Sequence, residues 1–206
     1  MNIQMKKSHT YFVVILLIIM SFSCNKGRLV GEYYLTNDMK AINPFKGYEI
    51  LTFENEIGIN IVLAAGDREN EINKYNNGIN TMDYNYCEYD NIDFVNENYK
   101  LVISMSPCLS SEYVHVGFSY LDGMYSFYSN FELLENDNHA NYYDSLLIND
   151  SWFHKIYYDT MQYSLHKPFP YSTHSFPIKS YYSIESGVVK IDFSDSTYWE
   201  LENIEW

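Results

Sequence analysis

The sequence predicts an all-β fold, a single antiparallel β domain running from about residue 31 to residue 206 as a curved meander sheet or open barrel. A lipocalin-like barrel and a β-sandwich are the alternatives. Three observations carry this. Aromatic residues are abundant, with 22 Tyr, 12 Phe and 3 Trp in 206 residues, and aromatic and β-branched side chains suit a pleated, half-buried surface. Short apolar or alternating runs recur between closely spaced turn signals. No stretch shows the apolar periodicity of an amphipathic helix of three turns.

Ordered sequence is expected from Gly31. Tyr48 to Glu54 and Gly58 to Ala64 are short apolar runs separated at Asn55-Glu56. Residues 66–82 are polar and Asn-rich and read as a loop. Tyr99 to Met105 is a strand introduced by the turn-forming Asn96-Glu97-Asn98. The clearest hairpin spans Tyr113 to Glu132. Val114, Val116, Phe118 and Tyr120 alternate there with Tyr113, His115, Gly117 and Ser119, and Val114, Val116 and Phe118 are expected on or near the buried face. Asp122-Gly123 supplies a turn that tolerates positive φ, and Met124 to Phe131 returns.

Further on, Ser145 to Ile148 and Trp152 to Tyr158 flank Asn149-Asp150. Residues 166–179 contain Pro168, Pro170 and Pro177 and read as a surface loop. Tyr181 to Ile184, Val188 to Phe193 and Thr197 to Leu201 follow, separated by Ser186-Gly187 and Ser194-Asp195-Ser196. Val189, Ile191 and Phe193 are the expected buried set of their strand.

The N-terminus has a separate logic. Lys6 and Lys7 precede an apolar run from Tyr11 to Met20, then Ser21, Phe22, Ser23 and Cys24. A positive segment, a short apolar segment and small residues before a cut form a secretory leader. The run is well below the roughly 20 residues of a bilayer-spanning helix. Removing residues 1–23 takes away two lysines and no acid, so 11 basic residues face 27 acidic ones and the formal charge becomes −16. Such a charge disfavours nucleic acid and anionic lipid surfaces, which are bound through basic patches. With Cys24 set aside, Cys87 and Cys108 remain, either bridged in an oxidising compartment or as two reduced, buried thiols.

The residues offer no catalytic signature. His115, His139, His154, His166 and His174 lack zinc-site spacing. Glu135-Asn136-Asp137-Asn138 and Asp90-Asn91-Ile92-Asp93 lack the acid pattern of a calcium loop and read as turns. There is no Gly-x-Ser-x-Gly elbow and no Gly-rich phosphate loop, so no catalytic residue, metal ligand or cofactor is assigned. The aromatic load admits one binding chemistry, stacking on sugar rings. Tyr157, Tyr158, Tyr181, Tyr182, Trp199 and Trp206 are the candidates, weighed against structural tyrosines whose rings pack while their hydroxyls stay wet.

The leader resembles those of bacterial lipoproteins, in which the cysteine after the cut is lipidated. Ser23-Cys24 matches that junction, although Ser21 and Phe22 replace its usual Leu and small residue. Three stretches then resemble ones in small, functionally uncharacterised lipoproteins of Bacteroidota: Asn43-Pro44-Phe45-Lys46-Gly47 leading to Leu51-Thr52-Phe53, Tyr143-Asp144-Ser145-Leu146-Leu147-Ile148-Asn149-Asp150, and Tyr181-Tyr182 through Gly187-Val188-Val189-Lys190-Ile191 to Trp199-Glu200-Leu201. The resemblance implies a signal peptide at 1–23, a lipidated (palmitate-bearing) Cys24 with a tether to residue 30, and a β-rich domain at 31–206. It places the protein at the outer membrane, on the periplasmic face because Asn25-Lys26-Gly27-Arg28 is basic where surface export resembles an acidic cluster. It implies membrane attachment through the lipid and no activity; the expected role is binding or interaction with an envelope protein, with a glycan- or small-ligand-binding module and then a hydrolase as the alternatives. Gly31-Glu32-Tyr33 resembles the Gly-x-Trp of lipocalin-like barrels without its tryptophan. The same resemblance makes Ser145, Thr160 and Ser196, each after an aspartate, candidates for O-glycosylation.

Mass spectrometry of membrane-extracted protein is expected to show an acylated peptide beginning at Cys24. An unmodified Cys24 terminus in a soluble fraction, or retention of residues 1–23, contradicts the lipoprotein reading.

Overall fold

A computed structural model describes residues 27–76, 83–108, 113–121, 125–132, 141–163 and 175–206. The leader, Cys24 and the Asp122-Gly123 turn lie outside the described residues. Among those described, fourteen strands and one short helix follow in order: β1 Leu29–Tyr33, α1 Asn37–Ile42, β2 Ile50–Asn55, β3 Asn60–Ala65, β4 Glu69–Asn76, β5 Tyr84–Val95, β6 Tyr99–Met105, β7 Tyr113–Tyr120, β8 Tyr125–Glu132, β9 Tyr142–Ile148, β10 Ser151–Thr160, β11 Gln162–Tyr163, β12 Pro177–Ser183, β13 Gly187–Phe193 and β14 Tyr198–Glu205.

These strands make one antiparallel sheet that is not closed into a barrel, so the lipocalin-like alternative is set aside. Its order is β11-β8-β7-β6-β5-β3-β2-β14-β13-β12-β10-β9, with β1 and β4 also pairing β5. Hairpins account for most neighbours, because two-residue turns favour antiparallel strands adjacent in sequence. Asn149 and Asp150, with φ of 46° and 60°, form such a turn between β9 and β10. The C-terminal β14 inserts beside β2, from Trp199↔Asn55 to Glu205↔Ile50. β10 leaves β12 at Thr160, and beyond Met161 the chain pairs with β8 as β11.

Two units are described separately. In the first, residues 27–32, 74–76 and 83–86, the Arg28 amide donates to Asp83 Oδ1 at 3.1 Å. Lys74 Nζ lies 3.9 Å from the Tyr84 ring centroid. Everything that follows concerns the second unit, residues 33–73 and 87–206.

Its core is built by alternation. Val114, Val116 and Phe118 of β7 are buried, as are Val189, Ile191 and Phe193 of β13. On the same buried face, Ser129 of β8, paired with Val116, reaches β12 through a 2.6 Å contact between the Ser129 and Ser180 hydroxyls. Trp199 sits inside a ring of aromatics, 4.8 Å from Tyr99, 5.2 Å from Phe193, 5.5 Å from Phe118 and 6.2 Å from Phe53 between centroids. Edge-to-face pairs of this kind add roughly 0.5–1.5 kcal/mol each beyond area burial. A disulfide joins Cys87 in β5 to Cys108 after β6, with Cα atoms 5.9 Å apart. In the chain-entropy picture it stabilises the fold by about 3 kcal/mol.

A polar anchor holds the segment between β1 and β2 on the sheet. Thr36 caps α1 through the Met39 amide at 3.2 Å. Arg68 donates from Nε to Asp90 Oδ1 at 2.8 Å and from Nη2 to Asp90 Oδ2. Its remaining N–H groups donate to the carbonyls of Phe45 at 2.6 Å, Lys40 at 3.0 Å and Asn43 at 3.3 Å. The Tyr182 hydroxyl donates to the Ile42 carbonyl at 2.9 Å. Glu88 accepts from the Leu35 amide at 2.8 Å and pairs with Lys40.

Four sequence expectations are corrected, the first being the surface loop at 166–179, whose last residues, Pro177 to Lys179, begin β12 in register with β13, with Pro177 buried. The loop at 66–82 contains β4: its mostly exposed polar residues present no apolar face, and the backbone finds its ladder on β5. Asp90-Asn91-Ile92-Asp93 is not a turn but the middle of β5, in register from Asp90↔Met105 to Asp93↔Val102. Its turn-forming composition is overridden because Arg68 neutralises Asp90 and Ile92 is buried. Leu29 and Val30, assigned to the tether, belong to β1.

Truncating the buried Phe118 to Ala is expected to cost about 3–5 kcal/mol in denaturant unfolding; a negligible loss would mean the facing of β7 is wrong. Burial raises the Glu88 carboxyl, but hydrogen bonds from Lys40, Asn70 and the Leu35 amide outweigh it and hold it below its ordinary 4.5. Its contribution is therefore complete above 4.5 and lost as pH falls through the lower folded value. Glu88→Gln is expected to be less stable at neutral pH and to show a shallower stability slope on acidification. A slope unchanged from the parent protein would contradict this.

Candidate ligand cleft

An open pocket of about 340 Å³ lies where the start of β10, the β12–β13 turn and the end of β14 meet. Each wall has a local cause. The Asn149-Asp150 turn starts β10, placing Trp152 opposite Leu147 of β9. Ser183 Oγ donates to the His154 carbonyl at 3.3 Å and accepts from the Glu185 amide at 3.2 Å, which fixes the turn against β10. In β14 the register shifts between Leu201 and Asn203, leaving Glu202 as the extra residue. Such a bulge re-aims side chains, and Glu202 and Asn203 line the pocket.

The third wall is Trp206. Its ring stacks on Phe45 at 5.8 Å with 27° between planes. Phe45 is buried and also fills the space beside Gly187, where an added Cβ would fall 2.3 Å from Phe45 Cε2. Gly187 has φ of 72°, so this turn needs glycine for both conformation and space.

The cleft is polar in chemistry with aromatic sides. Trp152 is 63% exposed and Trp206 69%. Hydroxyls of Ser151, Ser183 and Ser186 share the lining with Glu185, Glu202, Asn203 and His154. Among the described residues, the His154 ring makes no hydrogen bond to a carboxylate or hydroxyl, the coupling a nucleophilic mechanism needs. Nor do three His, Cys, Asp or Glu side chains converge as a metal site among the described residues. Rigid aromatic faces beside hydrogen-bonding groups suit recognition of a polyhydroxylated ring.

Of the six aromatic candidates named from sequence, only Trp206 lines this cleft. Tyr182 and Trp199 are buried in the core and present no platform. Tyr157 and Tyr158 are half-buried against Tyr142 and Tyr143, at 5.2 and 4.8 Å. Tyr181 is buried; its hydroxyl donates to Asp192 Oδ2 at 2.7 Å. Burial first, and Asp192 second, push that hydroxyl well above its ordinary value. Lys179 Nζ lies 3.8 Å from the Tyr158 centroid and 5.0 Å from that of Tyr181. Lys190 bonds Glu200 at 2.8 Å and lies 4.6 Å from the Tyr198 centroid. These tyrosines and lysines satisfy one another.

Trp152 was missed. Its signal was an indole just after a two-residue turn, but alternation alone could not say that it faces solvent. His115 bonds Asn130 at 2.8 Å and stacks on Tyr128, a structural role. His139, His166 and His174 lie outside the described residues. Ser145, Thr160 and Ser196 are all exposed, the last at a turn with φ of 70°. No helix of the described residues is long and apolar enough to cross a membrane. Comparison with protein-family models, curated proteins and solved structures finds no match.

Proposed function

We propose that this chain is a lipid-anchored protein of the bacterial cell envelope that acts by binding, and that the cleft beside Trp152 and Trp206 is its site for a carbohydrate. The leader ending at Ser23-Cys24 supports the anchor, and the basic Asn25-Lys26-Gly27-Arg28 after it supports the periplasmic face of the outer membrane. One observation carries the ligand class: two exposed indoles border an open pocket lined by hydroxyls, carboxylates and an amide. Apolar ring faces match the C–H faces of a sugar, and the polar lining matches its hydroxyls. The strongly negative chain keeps nucleic acid away. Binding here requires no cofactor.

Intrinsic tryptophan emission during titration with soluble neutral and charged oligosaccharides tests this. A saturable change is expected, since two of the three tryptophans border the pocket while Trp199 is buried. Trp152→Ala is expected to weaken binding at least ~10-fold, as for a well-placed aromatic anchor, with stability within about 0.5 kcal/mol of the parent. A silent titration across the panel, or undiminished affinity in Trp152→Ala, would refute the assignment.

A further inference from the structure

Charge in the cleft is one-sided. Glu185 and Glu202 line it, and no lysine or arginine does. Both glutamates are exposed, and among the described residues neither is ion-paired. The contrast is with the tyrosine face, where Lys190 lies against Asp192 and Glu200, and with α1, where Lys40 occupies Glu88. The pocket keeps its two carboxylates without a counter-charge, next to two indole faces that attract cations. The surrounding chain, at −14 overall, adds a field of the same sign.

We infer that the ligand of this cleft is an amino sugar with a free, protonated amine, its ring lying on an exposed indole and its ammonium paired with Glu185 and Glu202. This rests on the cleft being the ligand site. A neutral sugar would donate hydroxyls to both carboxylates but leave their negative charge uncompensated. A uronate or sialylated sugar would bring like charge to them, and like charges at close range are unfavourable. A bare polyamine would pair with the acids but offer no partner to the Ser151 and Ser186 hydroxyls and the Asn203 amide of the lining. A hydroxylated ring bearing an amine answers the accessible groups of the lining together: hydroxyls to Ser151, Ser186 and Asn203, ammonium to the acids, ring face to indole.

The full chain is titrated, at one low ionic strength and a mildly acidic pH where the sugar amines are protonated and exposed glutamates stay ionised, with four probes: a β-1,4-glucosamine tetramer, its fully N-acetylated counterpart, an oligogalacturonate of equal length, and spermidine. The glucosamine tetramer is expected to bind at least ~10-fold more tightly than the N-acetylated one, a reasonable effect for two exposed charge pairs. The galacturonate is expected not to bind. The double variant Glu185→Gln with Glu202→Gln is expected to erase the preference, with each single variant removing part of it. Glu69→Gln with Glu71→Gln, exposed acids of β4, lowers the overall charge equally and is expected to leave the preference intact. Equal affinity for acetylated and free-amine sugars overturns the inference while leaving the cleft as a sugar site. Spermidine binding as tightly as the sugar, or equal losses in the two double variants, overturns it in favour of general charge attraction. Absence of saccharide binding together with a silent Trp152→Ala overturns the cleft reading itself.

Discussion

One guanidinium fixes the geometry on which the rest depends. Arg68 bridges the Asp90 carboxylate in the middle of β5 and three carbonyls of the segment that carries α1. Asp90 is 1% exposed. A carboxylate so buried is unfavourable alone, and breaking such a pair by removing one partner costs about 3–5 kcal/mol. Arg rather than Lys is required, because only the planar fork reaches two carboxylate oxygens and the carbonyls together. The bond to the Phe45 carbonyl places the Phe45 ring, which occupies the space beside Gly187 and supports Trp206. The ion pair and the cleft wall are therefore mechanically linked through one buried phenylalanine.

The aromatic load serves two purposes that composition alone does not separate. Most rings are absorbed in the Trp199 cluster and in the tyrosine face across β9, β10 and β12, where hydroxyls and lysines are already partnered. A surface whose groups satisfy one another has little left to offer a ligand. Trp152 and Trp206 differ because both rings stay largely exposed, Trp206 with Phe45 behind it, beside the exposed carboxylates of Glu185 and Glu202. The cleft, not the count of tyrosines, carries the functional reading.

Where period two was intact, the fold was legible: β6 was expected from Tyr99 to Met105 and is observed there, and the β7 and β13 facings follow from alternation. Legibility failed where a distant partner decides the state. β4 has no apolar stripe, and the central acids of β5 mimic a turn until Arg68, 22 residues earlier, is brought beside Asp90. The site was half legible. Trp206 was named, whereas Tyr182 and Trp199 were named but are buried. The irregularity at Tyr181/Tyr182 shifts register within β12 and hid the facing of Tyr182, whereas Trp199 is buried in plain alternation with Leu201.

The central claim, that one cleft propped by Phe45 is the ligand site, is tested most directly by mapping NMR shifts during an oligosaccharide titration. The account predicts that the indole N–H signals of Trp152 and Trp206 and the amides of Glu185, Ser186 and Asn203 move together to saturation. The Trp199 indole and the β7 amides are predicted to stay in place. Perturbation centred on the tyrosine face, or spread evenly over the sheet, would contradict it.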